Sequence, residues 1–218
     1  MSEFPITERN RIRRLPKRGQ YDRDTIYRIL DEGLVCHVGF VQDGQPVVIP
    51  TLYARRDDHL ILHGARASRM LQAIQAGLPV CVTVTLVDGL VVARSVFHHS
   101  INYRSVVVFG RGGLIESDEE KLRALEVLTE HILRGRWRDA RGPNRQELDA
   151  TSVVRIDIES ASAKVRTGPP VDDEDDYQLP VWAGVLPIRQ QALDPINDPR
   201  LGLGIPVPDY VTKYERPR

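Results

Sequence analysis

Short β-rich runs separated by tight-turn residues fill most of the chain, and a polypeptide punctuated this way has few folds open to it. Residues 34–41 and 46–54 flank Asp43-Gly44, the signature of a type I′ hairpin turn. Arg55-Arg56-Asp57-Asp58 is expected to turn into a strand over 59–64. Pro79 opens a run to residue 86, and Asp88-Gly89 is expected to turn the chain into a strand over 90–97. Residues 104–110, with three successive valines, and then 152–158 and 163–166 add strand material. Helical spacing intervenes three times. Ile26, Ile29 and Leu30 share a face within 24–32, with Gly33 as the stop, and Met70, Leu71 and Ile74 do so within 67–76. The longest helix starts at Ser117, which with Glu120 has the pattern of a capping box, and ends near residue 133. The expected fold is mainly β with α decoration: a small closed antiparallel barrel of six or more strands with about three helices.

Composition narrows the function. Thirty Lys and Arg balance thirty Asp and Glu, so the chain lacks the basic excess of a nucleic-acid binder. Its apolar runs are strand-length, too short for a membrane helix. Residues 1–20 form a basic arm with no apolar stretch of the secretory kind, and the chain is expected to be cytoplasmic. Cys36 and Cys81 sit inside apolar strand-like runs and read as buried small hydrophobes of a reduced compartment. Six of the fifteen prolines fall at or beyond Pro187, so residues 189–218 read as an extended arm draped over the body or a partner.

The order of blocks carries a resemblance. GFVQDGQPVVIPTLY, LHGARASRMLQAI, VTVTLVDGLVVARSVF and HHSINYRSVVVFGRG are followed by SAKVRTGPP and LPVWAGVLPI. This succession resembles the pyridoxamine 5′-phosphate oxidase-like flavin-binding split-barrel family, in particular its flavin-nucleotide-binding, nitroimidazole-reductase-like branch. It spans about residues 15–188, within an expected split-barrel domain over 21–188. The resemblance implies a homodimer holding FMN between its subunits, and an oxidoreductase whose small-molecule substrate and electron donor it leaves unnamed. Neither nucleic acid nor membrane is implied as a partner.

The same resemblance points to particular residues. In His63-Gly64-Ala65-Arg66-Ala67-Ser68-Arg69, Ser68 and Arg69 match the family's FMN phosphate ligands, while the bare pattern allows a capped turn with Arg69 in solvent. Pro50, Thr51 and Tyr53 lie on the strand that the resemblance runs along the isoalloxazine; Tyr53 reads equally as a half-buried strand aromatic. Asn102, Tyr103, Arg104 and Ser105 lead into the strand beside the flavin, Ser105 standing where the pyridoxamine-phosphate enzymes have a glutamine. Lys164 and Arg166 place cations on one strand face, either a solvated edge or a positive field near the flavin. Trp182-Ala183-Gly184 matches a W-x-G motif whose tryptophan lies against FMN, but the basic signature that follows it in the pyridoxamine-phosphate enzymes is missing from VLPIRQQALDPIND.

Other motifs are set aside on physical grounds. Adjacent His98 and His99 would point oppositely in a strand and are not expected to share an ion, so no metal site is expected. Gly110-Arg111-Gly112-Gly113-Leu114-Ile115 mimics a dinucleotide fingerprint without its last glycine or its helix. Residues 172–176 read as a solvated acidic linker. Tyr103 and His98 are candidates for proton delivery. The alternative function is a flavin or haem carrier or sensor, for which His37, His63 and His98 are the available imidazoles.

Overall fold

The computed structural model describes residues 2–216. The N-terminal arm packs back on the body. Phe4 is buried, Asn10 donates to the Ala161 carbonyl at 3.1 Å, and Arg9 reaches Ser160 and lies over the Phe109 ring. After a 3-10 turn at Pro16–Arg18 and a short β1 (Gly19–Gln20), Asp22 caps α1 (Arg23–Glu32), accepting from the Thr25 amide at 2.8 Å. Ile26, Ile29 and Leu30 form its buried stripe. Gly33 ends it at a point of close approach, since a Cβ there would meet Val84 at 2.6 Å and the Tyr53 hydroxyl at 2.7 Å.

The strands follow as β2 (Val35–Gln42), β3 (Gln45–Leu52), β4 (Ala54–Arg56) and β5 (His59–Ala65). Asp43 and Gly44 both take positive φ, as a type I′ turn requires. Next come α2 (Arg69–Gln75), β6 (Val80–Val92), β7 (Ser100–Gly110), β8 (Gly112–Leu114) and α3 (Asp118–Ile132). The short helices α4 (Arg136–Asp139) and α5 (Arg145–Ala150) lead into β9 (Thr151–Asp157) and β10 (Ser160–Arg166). β11 (Gly184–Pro187) and α6 (Asp209–Thr212) complete the described chain. No helix among the described residues is long and apolar enough to cross a membrane.

All pairings are antiparallel, in two sheets: β1-β10-β7-β6-β2-β3 with β11 against β6, and β4-β5-β9-β8. The barrel expected to close is therefore split. β3 hands the chain to β4 through the buried Tyr53, and each sheet keeps its own ladder. The main core lies under the large sheet against α1 and α2; a second cluster of Ala54, Ile61, Ala124, Leu128 and Val153 lies under α3.

Several local expectations change. Asp88-Gly89 does not turn the chain. β6 runs through it with a register shift between Val87 and Gly89, and the Asp88 carboxylate bonds Arg104. Gly89 instead permits β11 to approach, since its Cβ would sit 3.0 Å from the Leu186 carbonyl oxygen. The strand expected over 90–97 stops at Val92, and His98 lies in a 3-10 turn, Val96–His98, rather than in a strand. Ser117 caps α3, but the reciprocal capping box forms at Asn144 and Glu147. The glycines at 110 and 112 serve sheet packing: added Cβ atoms would meet the Asp157 and Arg155 carbonyl oxygens at 1.9 and 2.1 Å.

Beyond β11 the tail is exposed over residues 188–206, then returns to the body. Tyr210 donates to Asp139 at 2.6 Å, and the Arg216 guanidinium donates to the carbonyls of Asp31, Glu32, Gly33 and His131. An apolar surface on the large sheet remains uncovered among the described residues. Val35, Val41, Val48 and Leu52 are exposed on the outer side of β2 and β3, with His37 among them.

Candidate functional site

β5 is held along its length by β9, with Leu60, Ile61 and Leu62 buried, and this fixes the position of the turn that follows. Gly64 faces Leu71, where a Cβ would come within 3.2 Å of the leucine side chain. His63 is half-buried; burial lowers its pKa, and its Nδ1 is enclosed without a partner. Ser68 caps α2, its hydroxyl accepting from the Leu71 amide at 3.5 Å. Arg66 and Arg69 are exposed, and neither guanidinium has a hydrogen-bond or ion-pair partner among the described residues. With seven residues, α2 supplies little dipole, so any attraction for an anion rests on the two arginines. Lys121 stands near them. It is 7% exposed and donates to the Leu148 carbonyl; burial, then the charge of Arg66, lowers its pKa. Sequence reasoning assigned no role to Arg66 or Lys121. The lysine sits in a first helical turn crowded with acids, which hid it.

The residues of β7 and β10 behave differently. Arg104 is ion-paired with Glu32 and, at 2.7 Å, with Asp88, and those carboxylates push its pKa up. Arg166 is buried, donating to Asn102 Oδ1 and to the Gly168 and Pro169 carbonyls at 3.3 and 3.2 Å. Asn102 also donates to the Gly168 carbonyl at 3.1 Å. These three side chains are tied into the chain's own network, although Arg166 Nε is enclosed without a partner. In the single chain, Asn102, Arg104 and Arg166 are thus engaged with each other and with neighbouring elements rather than standing free. Tyr53 is fully buried rather than half-buried, and its hydroxyl donates to the Leu30 carbonyl at the end of α1.

Five expected residues stay accessible on the large sheet. Ser105 pairs with Lys164 on one side and Thr85 on the other; Lys164 is half-buried with no side-chain partner among the described residues. Tyr103 is half-buried beside them. Pro50 is exposed opposite His37, and Thr51 is half-buried with its hydroxyl donating to the Leu52 carbonyl at 3.3 Å. Trp182 is exposed, its ring lying over Gly184. β10 and β3 are four strand steps apart, roughly 19 Å at 4.8 Å per step. Lys164 and Pro50 of one chain therefore do not meet in one pocket.

The family model for pyridoxamine 5′-phosphate oxidase matches residues 22–165, two-thirds of the chain and nearly all of both sheets. The chain belongs to the pyridoxamine 5′-phosphate oxidase family. Two solved structures show how fully it is shared. The flavocytochrome Anf3 from Azotobacter vinelandii is 40% identical, with a TM-score of 0.90, over 96% of this chain and 98% of that one. A FAD and haem binding protein from Mycobacterium smegmatis is 36% identical, with a TM-score of 0.86, over 89% and 96%. Among curated proteins, none matches significantly in sequence. At 96% coverage, the similarity to the Azotobacter protein runs well past residue 165 and into the extended tail.

Proposed function

We propose that the chain is a flavin-dependent oxidoreductase working as a homodimer, with the flavin nucleotide's phosphate held at the start of α2. The observation that carries this is the contrast in satisfaction. Whereas Arg104 is caged by two carboxylates, the exposed Arg66 and Arg69 carry free donors beyond the end of a rigid strand, beside the Ser68 hydroxyl. Free guanidinium groups suit phosphate oxygens because each can make two parallel charge-assisted bonds. The sequence resemblance suggested FMN. Two free arginines suit a diphosphate, and the similar Mycobacterium protein is described as binding FAD, so FAD is the form proposed.

Bound flavin supplies hydride or electron transfer, and the chain's share is to hold, orient and shield it. Thr85 and Lys164 offer donors and one positive charge along a sheet face, beside Ser105, whose hydroxyl donates to the Lys164 carbonyl at 3.3 Å. A second copy lying on the exposed face of β2 and β3 would exclude water and unite elements that one chain keeps apart. The exposed tail, with Leu193, Ile196 and Leu203 almost wholly in solvent, is proposed to grip that copy.

Haem as a second cofactor is favoured by a separate observation. His37 is exposed between Pro50 and Thr83, with Val35, Val48 and Leu52 around it and no hydrogen-bond partner among the described residues. An imidazole set in apolar surface suits a haem iron and its macrocycle, and both similar proteins carry haem by their descriptions. His63 and His98 suit it less: one is half-buried in its own strand, and the other faces Asp173 at 3.4 Å. Absorbance of the purified protein tests both readings. A flavin band, with FAD by mass after heat release, supports the first. A Soret band that disappears in His37→Ala while the flavin stays supports the second. A colourless protein that cannot be reconstituted with any flavin overturns the proposal.

A further inference from the structure

We infer that His98, Asp173 and Asp176 form a binding site for a divalent transition-metal ion, with zinc the best match, separate from the residues that the proposed function uses. Two segments far apart in sequence build it. The first is the loop after β6. Ser95 caps the 3-10 turn, accepting from the Phe97 amide at 3.3 Å; the His98 amide donates to the Ser95 carbonyl at 3.1 Å, and the Ala93 amide donates to His99 Nδ1 at 3.0 Å. The backbone carrying His98 is thereby stitched to itself.

The second segment is the acidic run, which the sequence suggested was a solvated linker. Its first residue contradicts that. The Asp172 side chain is wholly buried, accepting from the Arg94 amide at 3.0 and 3.1 Å, the Ser95 amide at 3.1 Å and the Arg94 guanidinium at 3.3 Å. Asp172 thus ties the acidic run to the histidine's own loop, and a 3-10 turn, Glu174–Gln178, brings Asp176 round to join Asp173. One ligand atom from each of His98, Asp173 and Asp176 lies within 4.8 Å of the others.

The independent observation is the imidazole itself. The His98 ring is 24% exposed, but its Nε2 is closed off from solvent, makes no hydrogen bond, and lies 3.4 Å from Asp173 Oδ2. A buried ring nitrogen without a partner is costly, and an ion held by the carboxylates in front of it would remove that cost. Donors about 2 Å from a tetrahedral ion sit roughly 3.3 Å apart, so the trio needs only a modest closure. Asp173, 85% exposed at its side chain, is free to supply it. One imidazole and two carboxylates, without thiolate, suit zinc or manganese, whereas magnesium and calcium prefer oxygen alone. Three protein ligands leave a fourth position for water. Binding would fasten the loop that displays Val96 and Phe97, both more than four-fifths exposed, to the acidic run.

The rival is a plain ion pair between protonated His98 and the two aspartates. Equilibrium dialysis of the full chain against zinc chloride, after removal of loosely held metal with a chelator, separates the two. The expected result is one zinc per chain, with affinity at least tenfold weaker in Asp173→Asn, Asp176→Asn and His98→Gln, and no displacement by excess magnesium. Asp173→Asn alters an exposed side chain and keeps the test valid if His98→Gln folds poorly. Wild-type protein that takes up no zinc, equal uptake by wild type and variants, or ready displacement by magnesium would each overturn the site.

Discussion

Arg69 and Arg104 belong to motifs that the sequence marks equally, yet the structure treats them oppositely. Arg104 lies in a cage of Glu32 and Asp88, every member less than a third exposed, and is bound before any ligand arrives. Arg69, at the first position of α2, has no partner among the described residues. The same division separates Arg166, locked to Asn102 and two carbonyls, from Lys164 two positions away on the same strand with its ammonium unused. An arginine near a ligand-binding motif is thus informative only once its partners are known. A cation that the fold already neutralises holds structure, and one left over is available for an anion.

That contrast can be broken by making both kinds of residue fail. Arg104→Ala strands Glu32 and Asp88 against each other and is expected to cost about 3 kcal/mol, as removing one partner of a desolvated ion pair does. Urea unfolding reads this; a loss below ~1 kcal/mol would mean that the cage is a surface ornament. Asn102→Ala leaves buried Arg166 short of an acceptor and is expected to cost about 2 kcal/mol. Tyr53→Phe removes one buried hydrogen bond, to the Leu30 carbonyl, for about 1 kcal/mol. In all three variants the flavin affinity of the folded protein should be nearly unchanged. A variant that keeps its stability but loses the cofactor would return that residue to the binding site.

The smallest effect is one of pH. Burial holds His63 and His131 below the ordinary histidine pKa. In the unfolded chain each takes up a proton near pH 6.5, while the folded chain keeps them neutral to lower pH, so the unfolded state binds more protons there. Stability is therefore complete above pH 6.5 and declines as pH falls below it. His131→Gln should flatten that decline, as read by thermal unfolding between pH 7.5 and 5.5. A stability that rises on acidification through this range would contradict the assignment.

Much of the fold was legible because its signals are local. Asp43-Gly44 needed only the positive φ that both residues adopt, and the stripe of Ile26, Ile29 and Leu30 needed only helical period. Asp88-Gly89 misled because its glycine answers to a strand 95 residues later: β11 packs against it, so the dipeptide reads as a turn while serving as a bulge. The candidate site was half legible for the same reason. Ser68 and Arg69 sit in a contiguous motif, whereas the roles of Tyr53, Asn102 and Arg166 depend on Leu30, Gly168 and Pro169, partners that no spacing rule connects to them. Asp172 was read as linker because its burial is created by the amides of Arg94 and Ser95, more than seventy residues earlier.

The central claim is that the unpaired guanidinium of Arg69 holds a flavin phosphate, and differential binding tests it most directly. FAD and riboflavin are titrated by flavin fluorescence against wild-type protein and Arg69→Ala. Loss of one charge-assisted contact is worth about 1.5–3 kcal/mol, so FAD should bind roughly ten- to a hundredfold more weakly to the variant. Riboflavin, which has no phosphate, should bind both proteins alike. Equal losses for the two ligands, or no loss for FAD, would contradict it.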